Sequence, residues 1–318
     1  MSERLNINQE AKMPEESPKE LLVDTTDLIA DPKSIEIIKG IEEQIGASRA
    51  SLYSVIDKMN AYRKNGDIHT NTVALYEDPL RTEMSERAIK RRYNENKKNG
   101  TALEQEISKI DAETLSVELA NWLTQEKVDY MKKAIESDSD LRFTLVMAPN
   151  VPVTDAELVA LAIDHGESNK KAKDAKVEIF FNVDDFCKNY SPEQLAGYNP
   201  DGGAVNFCLI PNHFTPGFKG RVDEQRAKLS AAQVDNPFLR VPSVFEDICY
   251  WNTIRERVGG IDDSDTCIRH FDLSTTLEKG FLSNRGFVPD TCLNGGIGIP
   301  VMTESSYKYA ADARIAIG

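Results

Sequence analysis

Four short segments of this chain concentrate the side chains that could do chemistry. They are Ala148-Pro149-Asn150, Phe181-Asn182-Val183-Asp184-Asp185, Ile210-Pro211-Asn212-His213 and Arg269-His270-Phe271-Asp272. Each follows or ends an apolar run that reads as a β-strand, so each lies where a strand gives way to a turn. In an open parallel sheet the carboxyl ends of neighbouring strands face one crevice, and ligands bind there. On that rule His213, His270, Asp184, Asp185 and Asp272 would converge.

Imidazole and carboxylate together offer two chemistries. They can hold a divalent metal, with Asp184, Asp185, His213 and His270 as ligands, or pair as a general base, with His213, His270 and Asp272 in the catalytic roles. The spacing contains no HExxH helix or other dense ligand motif, so both depend on convergence in space. His270 and Asp272 alternate and share a face only if the strand runs through Asp272. The competing structural reading is that Asn and Asp bond local backbone in turns and that the histidines are satisfied internally. Cys208 precedes His213 by five residues and Cys267 precedes His270 by three, an arrangement open to nucleophilic use. Both cysteines fall inside expected strands, where core packing is the commoner role.

Other features carry less chemistry. The stretch Asn294-Gly295-Gly296-Ile297-Gly298 lacks the spacing of a dinucleotide-binding loop and reads as a turn. No Walker A loop, GxSxG elbow or EF-hand loop is present. Trp251, with Val244, Ile248 and Ile254 at helical spacing, is expected to pack in the core.

The elements that would position these groups follow from hydrophobic period. Residues 1–33 are polar, with Pro14, Pro18 and Pro32, and read as a flexible tail. From Ser34 to Tyr62, Ile35, Ile38, Ile41, Ile45, Leu52, Val55, Ile56 and Met59 recur at three- and four-residue steps on one helical face. That stripe is too irregular for a coiled coil, and packing against neighbouring helices is expected of it. A basic helical segment follows, with Arg87, Lys90, Arg91, Arg92, Lys97 and Lys98 against Glu86 and Glu95. It is the best electropositive candidate in an acidic chain for a phosphate or partner contact, though Tyr93 alone gives little to stack on bases. Short helices with Asp111 and Thr124 as caps complete a helical region over 34–139.

Residues 140–318 change character. Strands are expected at Leu141–Ala148, Lys176–Asn182, Ala204–Ile210 and Thr266–Leu273, with helices at 155–165, Val222–Val234 and Ser243–Val258 and a helical or interrupted segment at 184–195. This alternation predicts an α/β (or α+β) domain with parallel strand-helix-strand units and a short antiparallel addition at the carboxyl end.

Composition narrows the function classes. The 318 residues are 40% apolar, enough for a buried core, and the formal charge of −14 opposes broad nucleic-acid or anionic-membrane binding. No spanning helix or signal peptide is read from the sequence. Five separated cysteines without a CxxC pair suggest a reducing compartment such as the cytoplasm. The first expectation is an interaction or structural protein whose amino-terminal helices contact a partner or a second copy. The alternatives are a hydrolase, with a divalent metal as the cofactor its His/Asp set would take, and nucleic-acid contact through residues 87–98.

Overall fold

The computed structural model describes residues 31–65, 110–153, 157–158, 161, 191–212, 215, 217–218, 222–258, 266–269, 275–276, 286–293, 297–298, 301–303 and 314–318. The elements in chain order are α1 (Pro32–Asn65), α2 (Ala112–Trp122), α3 (Gln125–Ser137), β1 (Phe143–Pro149), α4 (Pro192–Ala196), β2 (Val205–Pro211), α5 (Val222–Asp235), β3 (Leu239–Arg240) and α6 (Val244–Val258). Short strands β4 (Thr266–Arg269), β5 (Thr275–Thr276), β6 (Gly286–Leu293), β7 (Ile297–Gly298), β8 (Val301–Thr303) and β9 (Ala316–Ile317) follow. No helix among the described residues is long and apolar enough to cross a membrane.

Local sequence accounts for the helix starts. Asp31 precedes Pro32, and its carboxylate accepts the Lys33 and Ser34 backbone N–H groups at 2.9 and 3.2 Å. Asp111 caps α2 by accepting the Thr114 N–H at 2.7 Å, whereas Thr124 stands at the α3 start without a side-chain bond. Ser191 and Gln194 form a reciprocal capping box on α4. Ser243 and Glu246 do the same on α6, with bonds of 2.8 and 3.1 Å.

The main sheet has the order β1-β2-β9-β3, and its pairs are antiparallel. This corrects the expected parallel strand-helix-strand units: the fold is a mixed helix-and-sheet α+β arrangement. β4, expected as a further strand of that sheet, pairs instead with β6, and β5, β7 and β8 also pair with β6, all antiparallel.

Register assigns the faces. Leu145 stands opposite Leu209, Met147 opposite Phe207, and Leu209 and Leu239 both flank Ile317. These residues share one face, and they join one apolar cluster with Ile38, Ile41, Ile45, Leu52 and Ile56 of α1, Leu115 and Leu119 of α2, and Val128 and Met131 of α3. The apolar stripe of α1 is therefore buried against the chain's own sheet and helices. The opposite face carries Val146 opposite Cys208 and Ala148 opposite Asn206, and α6 packs against β1. All seven residues of β1 are buried.

β1 is an edge strand, and α1 covers its outer edge. The Gln44 amide donates to the Phe143 carbonyl at 3.0 Å and accepts the Leu145 N–H at 2.8 Å, as a neighbouring strand's backbone would. One turn on, the buried Ser48 hydroxyl donates to the Leu145 carbonyl at 2.7 Å. Farther along, the Asn252 amide of α6 donates to the Ser51 hydroxyl at 3.0 Å, tying α6 to α1.

Candidate functional site

Of the residues singled out for chemistry, His213, His270, Asp184, Asp185, Asp272 and Asn182 lie outside the described residues. So do Arg87, Lys90, Arg91, Arg92, Lys97 and Lys98. Among the described residues no group of His, Cys, Asp and Glu could hold a metal ion. Asn150 and Asn212 are described, and both serve the backbone. Asn150 donates to the Asn199 and Gly203 carbonyls, each at 2.8 Å, and accepts the Asn199 N–H at 3.0 Å, clamping the turn before β2. Asn212 accepts the Arg142 N–H at 2.7 Å. The antiparallel pairing of β1 with β2 sends their carboxyl ends to opposite ends of the sheet, so Asn150 and Asn212 do not share a crevice.

The cysteines of the main core are structural. Cys208 and Cys249 are fully buried, and burial pushes both thiols far above the usual range, with Arg240 only partly opposing this at Cys208. Trp251 is buried as expected, edge-on to Tyr250 at 4.9 Å, with the Arg314 guanidinium over both rings.

The described site with chemical potential is a cleft of about 730 Å³ lined by α2, the start of α3, the turn 197–203, the start of β2 and Arg240. Its volume suits a small molecule. Gly197 adopts φ +64°, and a Cβ there would meet the Ser243 Cβ at 2.9 Å. Gly203 lies so close to Glu118 that a Cβ would sit 2.6 Å from its carboxylate, whose oxygen accepts the Ala204 N–H at 3.3 Å. These two contacts shape the cleft wall.

Two cations border the cleft, and they differ. Arg240 makes a bidentate pair with the buried Glu246 at 2.5 and 2.6 Å, so its charge is matched. Lys127 is 8% exposed, and its ammonium donates to the Trp122 carbonyl at 2.8 Å and sits 3.9 Å from the centre of the Trp122 ring. No carboxylate among the described residues pairs with it. Burial, reinforced by the Arg240 charge, lowers its pKa to about 8. An ammonium carries three N–H donors, and the Trp122 carbonyl takes one. The result is a buried cation, still mostly protonated at neutral pH, that lines the cleft with no carboxylate among the described residues bonded to it; the Glu118 carboxylate in the same cleft accepts the Ala204 N–H instead.

A second cleft lies between α1 and α3 over an apolar floor that includes Ile37, Met131 and Ile135. Two of the cations at its border are matched: Lys33 pairs with Glu136 at 2.6 Å and Lys132 with Asp31 at 2.7 Å. It offers no comparable charge.

Lys127 escaped the sequence reading because one lysine in Gln125-Glu126-Lys127-Val128 has no distinguishing neighbour. Its position one residue before buried Val128, on the inner side of α3, was the available signal. No protein-family model, curated protein or solved structure matches this chain.

Proposed function

We propose that this protein binds a small anionic ligand, bearing a carboxylate or phosphate group, in the cleft beside Lys127. The observation that carries the reading is the buried Lys127 ammonium, which faces the cleft without a carboxylate partner among the described residues. An anion placed there would receive charge-assisted hydrogen bonds in a partly desolvated setting and would relieve the cost of the buried charge. The matched Arg240–Glu246 pair frames the cleft, and the Trp122 ring and carbonyl hold the lysine in place.

The activity is binding, consistent with a folded platform whose ligand is presented to or sensed for another process. The hydrolase reading on His213, His270, Asp184, Asp185 and Asp272, the nucleic-acid reading on residues 87–98, and partner contact through the helices remain separate proposals. The first two rest on residues outside the described ones.

Thermal melting in orthophosphate and in succinate tests the reading. At a concentration of 100 times Kd, either anion would stabilise the fold by about 2.7 kcal/mol. That gain should be lost in Lys127→Met and should decline as pH rises through about 8, where the ammonium deprotonates. Equal stabilisation of wild type and Lys127→Met, or none with either anion, would overturn it.

A further inference from the structure

Two of the five cysteines occupy directly opposed positions in an antiparallel strand pair. Cys267 of β4 is the register partner of Cys292 of β6, flanked by the pairs Thr266–Leu293 and Ile268–Thr291. Opposed residues of an antiparallel ladder share a face of the sheet, and their Cα atoms stand about 4.5–5.5 Å apart. That spacing lies within the Cα separation a disulfide spans, about 4.4–6.8 Å. Cys208 and Cys249 are enclosed in the main core with thiols held protonated.

We propose that Cys267 and Cys292 form a redox-responsive cross-strand thiol pair that closes to a disulfide when it meets a low-molecular-weight disulfide oxidant. One cysteine thiolate attacks the oxidant, for instance oxidised glutathione, forming a mixed disulfide and expelling one reduced thiolate. The second cysteine, as its thiolate, then attacks the protein-side sulfur and expels the other. The protein loses two hydrogens, and one oxidised glutathione becomes two reduced ones. The register already sets the two positions opposite each other, so the second step is intramolecular. Closure would pin β4 to β6, and β6 is the strand on which β5, β7 and β8 also pair. The oxidant would thereby act on the anchor of the whole small sheet.

The full chain is equilibrated in glutathione buffers from fully reduced to fully oxidised, alkylated, digested without reductant and mapped by mass spectrometry. The expected result is one intramolecular Cys267–Cys292 cross-linked peptide that rises as the buffer becomes oxidising. It should disappear in Cys267→Ser and in Cys292→Ser, and persist in Cys208→Ser. Retention of alkylatable Cys267 and Cys292 in the most oxidising buffer would overturn the proposal. So would linkage of either one to a different cysteine as the main product.

Discussion

Replacing Lys127 by Met separates the cost of the buried charge from its use. A lysine moved from 10.5 to about 8 carries a destabilisation of about 3 kcal/mol at neutral pH, because the unfolded chain holds the proton more tightly. Met is apolar, unbranched and near lysine's length, so it fills the same channel beside Trp122. The substitution also removes the bond to the Trp122 carbonyl and the contact with the ring, which offsets about 1–2 kcal/mol. The net expectation at pH 7 is a variant more stable by about 1–2 kcal/mol, a rise of roughly 2–4 °C in Tm. The sign with pH is specific. Between about 8 and 10.5 the unfolded chain binds more protons than the folded one, so wild-type stability rises across that window. The advantage of Lys127→Met should therefore shrink across it. Urea melts of both proteins from pH 7 to 10.5, with phosphate-free buffer, measure the gap. A variant less stable than wild type at pH 7, with a gap independent of pH, would refute the assignment of Lys127 as a buried charge without a counter-ion among the described residues.

Three other perturbations bear on the fold and cleft. Gln44→Leu leaves the Phe143 carbonyl and Leu145 N–H at the covered edge of β1 without their partners, and should cost about 2–4 kcal/mol in urea unfolding. Glu246→Gln removes the charge opposite Arg240 and weakens the α6 cap, and should lower stability by about 2–3 kcal/mol in urea unfolding. Asp31→Asn should lower Tm at pH 6. Bonding to Lys132, then to Ser34, holds the Asp31 carboxyl well below its usual range, so its contribution is present above pH 3.8 and fades as acid protonates it. The Tm difference between wild type and Asp31→Asn should close accordingly in an acid titration followed by circular dichroism.

Much of the element pattern was legible. The spacing from Ile38 to Met59 placed α1, and the apolar runs of β1 and β2 fell within two residues of their observed bounds. The Asp111 cap was visible from residue type, and the Ser243–Glu246 box was there to be seen in Ser243-Val244-Phe245-Glu246. Strand direction was not legible. Phe143-Thr144-Leu145-Val146-Met147-Ala148-Pro149 is buried at every position because helices cover both faces of the sheet, and such continuous apolar strands ordinarily accompany parallel sheets. The irregularity of the α1 stripe, which spoke against a coiled coil, has a cause: Gln44, Ser48 and Ser51 interrupt it where the helix bonds to β1 and α6. The lysine of the cleft was hidden because its character comes from the Trp122 ring, the desolvating walls and Arg240, which only the fold assembles around it.

The two-residue strand β9 sets a timing constraint on how the chain is made. It lies between β2 and β3, with Ile317 bridging Leu209 and Leu239. Those flanking strands leave the ribosome long before residues 316–317, so the inner edges of β2 and β3 must wait without their partner while synthesis continues. During that interval they present bare backbone edges open to mispairing with other nascent chains. Truncation just before Ile315 would prolong that exposure indefinitely, making aggregation during expression, more than loss of any surface contact, its first consequence.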